Sequence, residues 1–244
     1  MEQTAIEWAN STINFHMGCT KVSSECEKCY MYRLMPRFGK DPYKVTRMNF
    51  DNIKRNLTKW LPSRIFVDSM SDFWHKDIDD DTISECFGIM DSFQKHQFLI
   101  LTKRAERMEH YIEQALMEDY RPPKNVWFGV SCGISKTKDR VEILRNLTIE
   151  NIKFVSFEPL LEDLGYFDLT GIDWAIVGGE SDPNPRQTKI EWVDNLFQLC
   201  KVQGVKFFFK QFGGSTKCKC HGAWGCRLYK GRTWDELPEL EILA

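Results

Sequence analysis

Phe98 to Met108, FLILTKRAERM, runs five apolar or neutral residues together, turns at two basic ones and then opens a helical pattern. A half-exposed strand alternates. A near-continuous apolar run is how a parallel strand covered by helices reads. The same order of run, turn and helix recurs at Ile65 to Asp68 (IFVD), Val126 to Ser131 (VWFGVS), Lys153 to Phe157 (KFVSF), Trp174 to Val177 (WAIV) and Val205 to Phe209 (VKFFF). A first strand is expected over Thr12 to Phe15. Helical patterns fill the gaps: Glu25 to Pro36, Arg47 to Trp60, Asp80 to Lys95, Arg104 to Glu118, Lys136 to Leu147 and Ile190 to Gln203. Thr46, Asp79, and Thr188 with Glu191 as a capping box, stand where those helices start. Strands recur about every 25–35 residues, the length of a βαβ unit. Seven units predict an α/β chain, a partial or nearly closed TIM-type β/α barrel with about seven parallel strands. A doubly wound sheet is the alternative. The barrel is expected over 1–212. From Gly213 the rhythm stops, and 213–244 reads as a cysteine-containing tail or lid packed on the barrel.

The length of 244 residues suits one hydrophobic core. Lys and Arg number 33 against 35 acidic residues, a net charge of −2, so no whole-chain field draws the protein to nucleic acid or membrane. No N-terminal apolar run precedes a cleavage site and none is long enough to span a bilayer, so the chain reads as cytoplasmic, with no membrane partner. In a reducing compartment nine cysteines, an odd number, fit metal sites and buried thiols better than disulfides. Seventeen Phe, eight Trp and seven Tyr fill a core, or wall a flat ligand as well.

Gly18 to Tyr30, GCTKVSSECEKCY, places Cys19, Cys26 and Cys29 in the loop after the first strand. In a barrel that loop lies on the catalytic face. Three thiolates supply three corners of a [4Fe–4S] cubane and leave one iron open. Zinc held by the same three and His16 is the alternative. In the tail, Cys218, Cys220, His221 and Cys226 form a second set. Structural zinc is the first reading of that set, an auxiliary iron–sulfur cluster the second. Cys132 ends the fourth strand and faces the expected pocket, whereas Cys86 and Cys200 fall on helices as buried small hydrophobes.

Polar residues collect just past the expected strand ends, where barrel chemistry concentrates. Asp68 and Ser69 follow the second strand, with Ser71 and Asp72. Lys103 and Arg104 follow the third, Ser131 ends the fourth and Glu158 follows the fifth. Gly178, Gly179 and Glu180 follow the sixth, and Lys210 the seventh. The glycines let backbone approach a ligand. Lys103, Arg104, Arg186 and Lys210 suit a substrate phosphate or carboxylate. Trp74 and His75 are placed to stack on a base.

The ordered set GCTKVSSECEKCYMYRL, IFVDSMSDFWH, FLILTKRAERM, NVWFGVSC, FVSFEPLLEDL, DWAIVGGESDPNPR, FFFKQFGG and GRTWDELP resembles the phage Gp37/Gp68-like family, also called three-Cys-motif proteins, which is related to radical S-adenosylmethionine enzymes. The resemblance implies a partial TIM-type barrel, a [4Fe–4S] cluster, S-adenosylmethionine and an electron donor such as flavodoxin or ferredoxin. It also implies a 5′-deoxyadenosyl radical that abstracts hydrogen. Six residues separate the first two cysteines, where the commonest superfamily spacing has three. By the same resemblance Tyr30 helps hold adenine, and for that cofactor the strand-end residues Asp68 and Ser69 are expected to serve the methionine or ribose end. Ser131, Glu158, Gly178, Gly179 and Glu180 complete the implied cofactor site, although the superfamily's own glycine-rich motif follows its second strand rather than its sixth. The phage association makes a nucleic acid, nucleotide or base the first substrate class. Radical modification of a peptide or partner protein is the second. A non-catalytic, zinc-stapled barrel that binds nucleic acid or protein is the competing class.

Overall fold

The computed structural model describes residue 4, residues 6–214 and residues 226–239. Seven strands form one sheet: β1 (Ser11–Ile13), β2 (Arg64–Val67), β3 (Gln97–Thr102), β4 (Val126–Ser131), β5 (Lys153–Phe157), β6 (Trp174–Gly178) and β7 (Lys206–Gln211). They lie in sequence order, and every neighbouring pair is parallel. The sheet curls into a half-barrel with β1 and β7 as its edges. The seven-strand α/β barrel reading therefore holds, and the doubly wound alternative falls. A sheet that adds each new strand on the same side never reverses its order, so it has no switch point.

Helices cover the outer face: α1 (Tyr30–Leu34), α2 (Phe50–Lys59), α3 (Asp80–Asp91), α4 (Ala105–Met117), α5 (Asp139–Asn146) and α6 (Ile190–Gln203). Asp79 caps α3 as expected, accepting from the Thr82 amide at 2.7 Å. Two other caps differ. Thr46 pairs in a two-residue strand with Met17, and Asn49 caps α2 instead. Thr188 donates to the Leu160 carbonyl, so the capping box does not form and α6 starts after Lys189. The helix expected over Glu25 to Pro36 is broken. Cys29 is extended (φ −60°, ψ 125°), which separates a 3-10 turn at Ser24–Cys26 from α1.

Side chains along each strand alternate between two cores. Ile65, Val67, Phe98, Ile100, Phe128, Val155, Val177 and Phe209 pack outward under the helices. Phe66, Leu99, Trp127, Phe154, Trp174, Ile176 and Phe208 point inward, and Trp8 inserts among them. Trp174 contacts Trp8, Trp127, Phe154 and Phe208, with ring centroids 5.8–6.4 Å apart. This cluster plugs the half-barrel at the end where the strands begin. Residues 226–239 run beside β7. Phe209 donates to the Trp234 carbonyl at 2.9 Å and Asp235 bridges to Phe208, so the β7 edge is covered. Among the described residues no helix is long and apolar enough to cross a membrane.

Candidate active-site cavity

A cavity of about 190 Å³ opens at the other end of the half-barrel, above the aromatic plug. Its floor is Ile6, Trp8, Phe66 and Leu101. Inward positions change character as each strand approaches the cavity: Phe154, Ser156, Glu158 on β5; Leu99, Leu101, Lys103 on β3; Trp127, Gly129, Ser131 on β4; Phe208, Lys210 on β7. Gly129 is small because the Phe154 ring occupies the space, and a Cβ there would come within 2.4 Å of it.

Cys19, Cys26 and Cys29 all line this cavity. Gly18 starts the loop at φ +97°, where a Cβ would sit 2.2 Å from the Lys44 carbonyl oxygen, so only glycine fits. Two arginines pin the six-residue span between the first two cysteines. Arg104 Nη2 donates to the Thr20 carbonyl (2.9 Å) and hydroxyl (3.0 Å), and its Nη1 to Asp72 (2.9 Å) and to Cys19 Sγ (3.7 Å). At the far end Glu25 is fully buried. It accepts from Arg140 Nη1 at 2.8 Å and from the Gly133 amide at 2.6 Å. Burial, reinforced by Asp72 and opposed by Arg104, pushes the Cys19 thiol up to about 11, and burial raises Cys29 too. Binding either as a thiolate therefore releases a proton.

Among the described residues no group of three or more His, Cys, Asp or Glu side chains stands close enough to hold a single metal ion. Zinc at about 2.3 Å from each sulfur needs thiolates within about 4 Å of one another. A cubane binds each cysteine through a different iron and tolerates wider separation. His16 does not line the cavity with the three cysteines; its Nδ1 lies 3.0 Å from Asp68 Oδ2. Three soft donors on one cavity wall, with no fourth beside them among the described residues, fit a cubane better than zinc. Cys218, Cys220 and His221 lie outside the described residues. Cys226 is half-buried, and its carbonyl accepts from the Phe212 amide at 3.3 Å.

Tyr30, Ser69, Ser131, Glu158, Gly179, Glu180, Lys103, Arg104 and Lys210 also reach the cavity. Tyr30 donates to the Ser69 carbonyl at 2.6 Å, and burial raises its phenol well above the ordinary value. Lys210 lies 2.8 Å from Glu158 Oε1. Burial opposes its charge, but Glu158 and Glu7 raise its pKa. Ser156 donates to the other Glu158 oxygen at 3.1 Å. Lys103 donates to Ser131 Oγ at 3.2 Å, and among the described residues it pairs with no carboxylate.

Other expected residues stand elsewhere. Asp68 does not line the cavity. Its φ of 54° ends the strand's alternation, and its carboxylate accepts from the Phe15 (2.6 Å) and His16 (3.0 Å) amides, tying β2 to β1. Gly178 is absent from the wall because the Glu158 carboxylate fills its side-chain space. Trp74 is fully buried between Phe73, Phe87 and Tyr111, so it stacks on no base. His75 is also fully buried. Its Nδ1 accepts from the Asp77 amide (3.2 Å), so its Nε2 donates to Thr20 Oγ1 (2.8 Å). Arg186 grips Glu180 and reaches Glu27 at 3.1 Å, bracing the rim from outside. Cys132 packs on the outer core against Thr137, not in the cavity. Cys86 and Cys200 are buried in α3 and α6 as expected.

Asp72, expected past the second strand, accepts from Thr102 Oγ1 (2.7 Å), the Lys103 amide (3.1 Å) and Arg104, joining two strand ends to the cysteine loop. Other contributors escaped the sequence reading. Glu25 and Arg140 meet across 115 positions, a pairing no local pattern shows. Ser156 was readable, because it shares parity with Phe154 and Glu158.

This half-barrel with a cysteine-lined cavity past its strand ends has the architecture of a partial α/β barrel. The chain matches the model of a protein family of unknown function, DUF5131, over residues 3–238, and it belongs to that family. No curated protein matches it. Among solved structures it is similar to a cysteine-to-serine mutant of spore photoproduct lyase, with a TM-score of 0.53 and 14% identity over 82% of this chain. It spans 63% of that chain's length. A tyrosine-to-phenylalanine mutant of the same lyase matches at a TM-score of 0.43, with 13% identity over 76% of this chain and 59% of that one. At such identity the first likeness is one of fold.

Proposed function

We propose that this protein is a radical S-adenosylmethionine enzyme of the Gp37/Gp68-like kind. The carrying observation is that Cys19, Cys26 and Cys29, and among the described residues no fourth thiol, line one wall of a cavity beyond the strand ends. Cys19, Cys26 and Cys29 would hold a [4Fe–4S] cluster there, and that cluster would supply the one-electron reductive cleavage of S-adenosylmethionine. The chain's own part is to hold, orient and keep dry. Arg104 donates toward Cys19 Sγ and, through Thr20, fixes the approach of the loop. The Glu158–Lys210 pair, Ser131 and Glu180 offer both charge signs and a hydroxyl to a zwitterionic methionine end and a ribose. Tyr30 beside Cys29 gives a flat face for adenine. Trp8, Phe66 and Leu101 close the floor against water. The fold shared with spore photoproduct lyase supports this reading. An electron donor of the flavodoxin or ferredoxin class belongs to it.

Anaerobic reconstitution tests the proposal. A brown protein with about four irons per chain should cleave S-adenosylmethionine to 5′-deoxyadenosine once reduced, and Cys26→Ala should abolish both iron loading and cleavage. A colourless, zinc-only protein from anaerobic purification would instead establish the stapled, non-catalytic barrel.

A further inference from the structure

Lys28 to Arg47 holds six basic residues (Lys28, Arg33, Arg37, Lys40, Lys44 and Arg47) and one acid, Asp41, in a chain whose net charge is −2. The near-neutral total thus conceals a local positive field. The stretch folds as α1, a 3-10 turn at Met35–Phe38 and a return loop to Thr46–Arg47. Arg47 is taken by Glu85, and Arg33 lies 3.9 Å from Asp182. Among the described residues neither Arg37 nor Lys44 has an ion-pair partner. The one acid is partly occupied, since Asp41 accepts from the Tyr43 amide at 2.9 Å.

Flat apolar surface is interleaved with this charge. Phe38 is 70% exposed and Tyr43 58%. The Tyr43 ring lies 5.1 Å from that of Tyr32, over which the Lys21 ammonium sits at 5.1 Å. Tyr32 itself lines the cavity, so the surface runs into its mouth. The charge continues inward through Lys28 and Lys103, both cavity-lining and both without a carboxylate partner among the described residues.

Single-stranded nucleic acid matches this combination. Its phosphates meet the basic side chains, while its unpaired bases offer faces to Phe38 and Tyr43. A duplex hides those faces, and an acidic peptide uses the charge without the rings. We propose that the surface of Lys28 to Arg47, with Lys21 over the Tyr32 ring, binds a single strand of nucleic acid and leads one nucleotide into the cavity. Only the fate of that nucleotide rests on the radical-enzyme reading.

Fluorescence anisotropy of the full chain with DNA and RNA oligomers of about 12 nucleotides, within the span that such surfaces cover, tests the surface. Affinity should fall roughly 20- to 50-fold between about 50 and 200 mM salt, as three or four neutralised phosphates require. The double variant Arg37→Glu, Lys44→Glu should bind at least about tenfold more weakly with a flatter salt dependence. Phe38→Ala with Tyr43→Ala should lose about fivefold or more at every salt concentration. All four side chains are exposed, so circular dichroism should stay unchanged. The proposal fails if no oligomer binds at low salt, if duplex binds as tightly as single strand, or if the aromatic variant binds like wild type. Binding without S-adenosylmethionine cleavage then retires the enzyme reading and keeps the surface, and cleavage without binding does the reverse.

Discussion

The floor and the rim of the half-barrel are made by the same strands, at inward positions two residues apart. Along β5 and just past it, Phe154 belongs to the floor and Glu158 to the rim, with Ser156 between. The floor is a dry cluster around Trp174. The rim holds charge in pairs, Glu158 with Lys210 and Asp72 with Arg104, beside Lys103, which has no carboxylate partner among the described residues. One backbone therefore carries stability at the start of each strand and chemistry at its end, as parallel barrels do generally. Substitutions at the two levels should fail differently.

The largest effect belongs to the floor. Trp174→Ala removes the ring at the centre of the plug and should cost about 3–5 kcal/mol in denaturant unfolding. Gly129→Ala comes next. Its new methyl meets the Phe154 ring, and overpacking should cost about 1–3 kcal/mol. A smaller, pH-dependent loss belongs to the rim's support. Burial, then the Arg104 charge, lowers the His75 pKa below its ordinary 6.5. Below pH 6.5 the unfolded chain takes up a proton that the native imidazole refuses, so stability falls with pH until the folded pKa is passed. Unfolding measured from pH 7 down to pH 5 should therefore be steeper for wild type than for His75→Asn. An equal slope would show that His75 is protonated in the native fold. Least disturbed should be the stability of Lys103→Met, within about 0.5 kcal/mol, while its affinity for an anionic ligand drops. If it unfolds like Gly129→Ala, the rim is part of the structural core and the division of labour is wrong.

The strands were legible because burial on both faces leaves nearly unbroken apolar runs. Their alternation within those runs was legible too, and it separates floor from helix-facing residues. What misled was the assumption that a polar or aromatic residue just past a strand faces the ligand. Asp68 leaves the alternation at a positive φ and spends its carboxylate on two backbone amides. Trp74 turns outward into the Phe73, Phe87 and Tyr111 cluster. The cysteine loop was found from spacing alone, but the arginines that set its path come from positions 104 and 140, and only the folded chain brings them to Thr20 and Glu25.

Trp174 has one more neighbour than its ring contacts show. Its indole nitrogen donates to the Glu236 carbonyl at 2.8 Å, and the Glu236 carboxylate accepts from the Phe207 amide at 2.9 Å. The plug is thus touched by Trp8, which precedes β1, and by Glu236, which follows β7. During synthesis the early segment can wait in the half-built barrel, but the seal cannot form until the later one has left the exit tunnel. Nascent chains stalled before Glu236 emerges should stay sensitive to protease at the floor, and released chains should not. The order of translation then sets the order of closure, with the cavity's walls assembled before its base is locked.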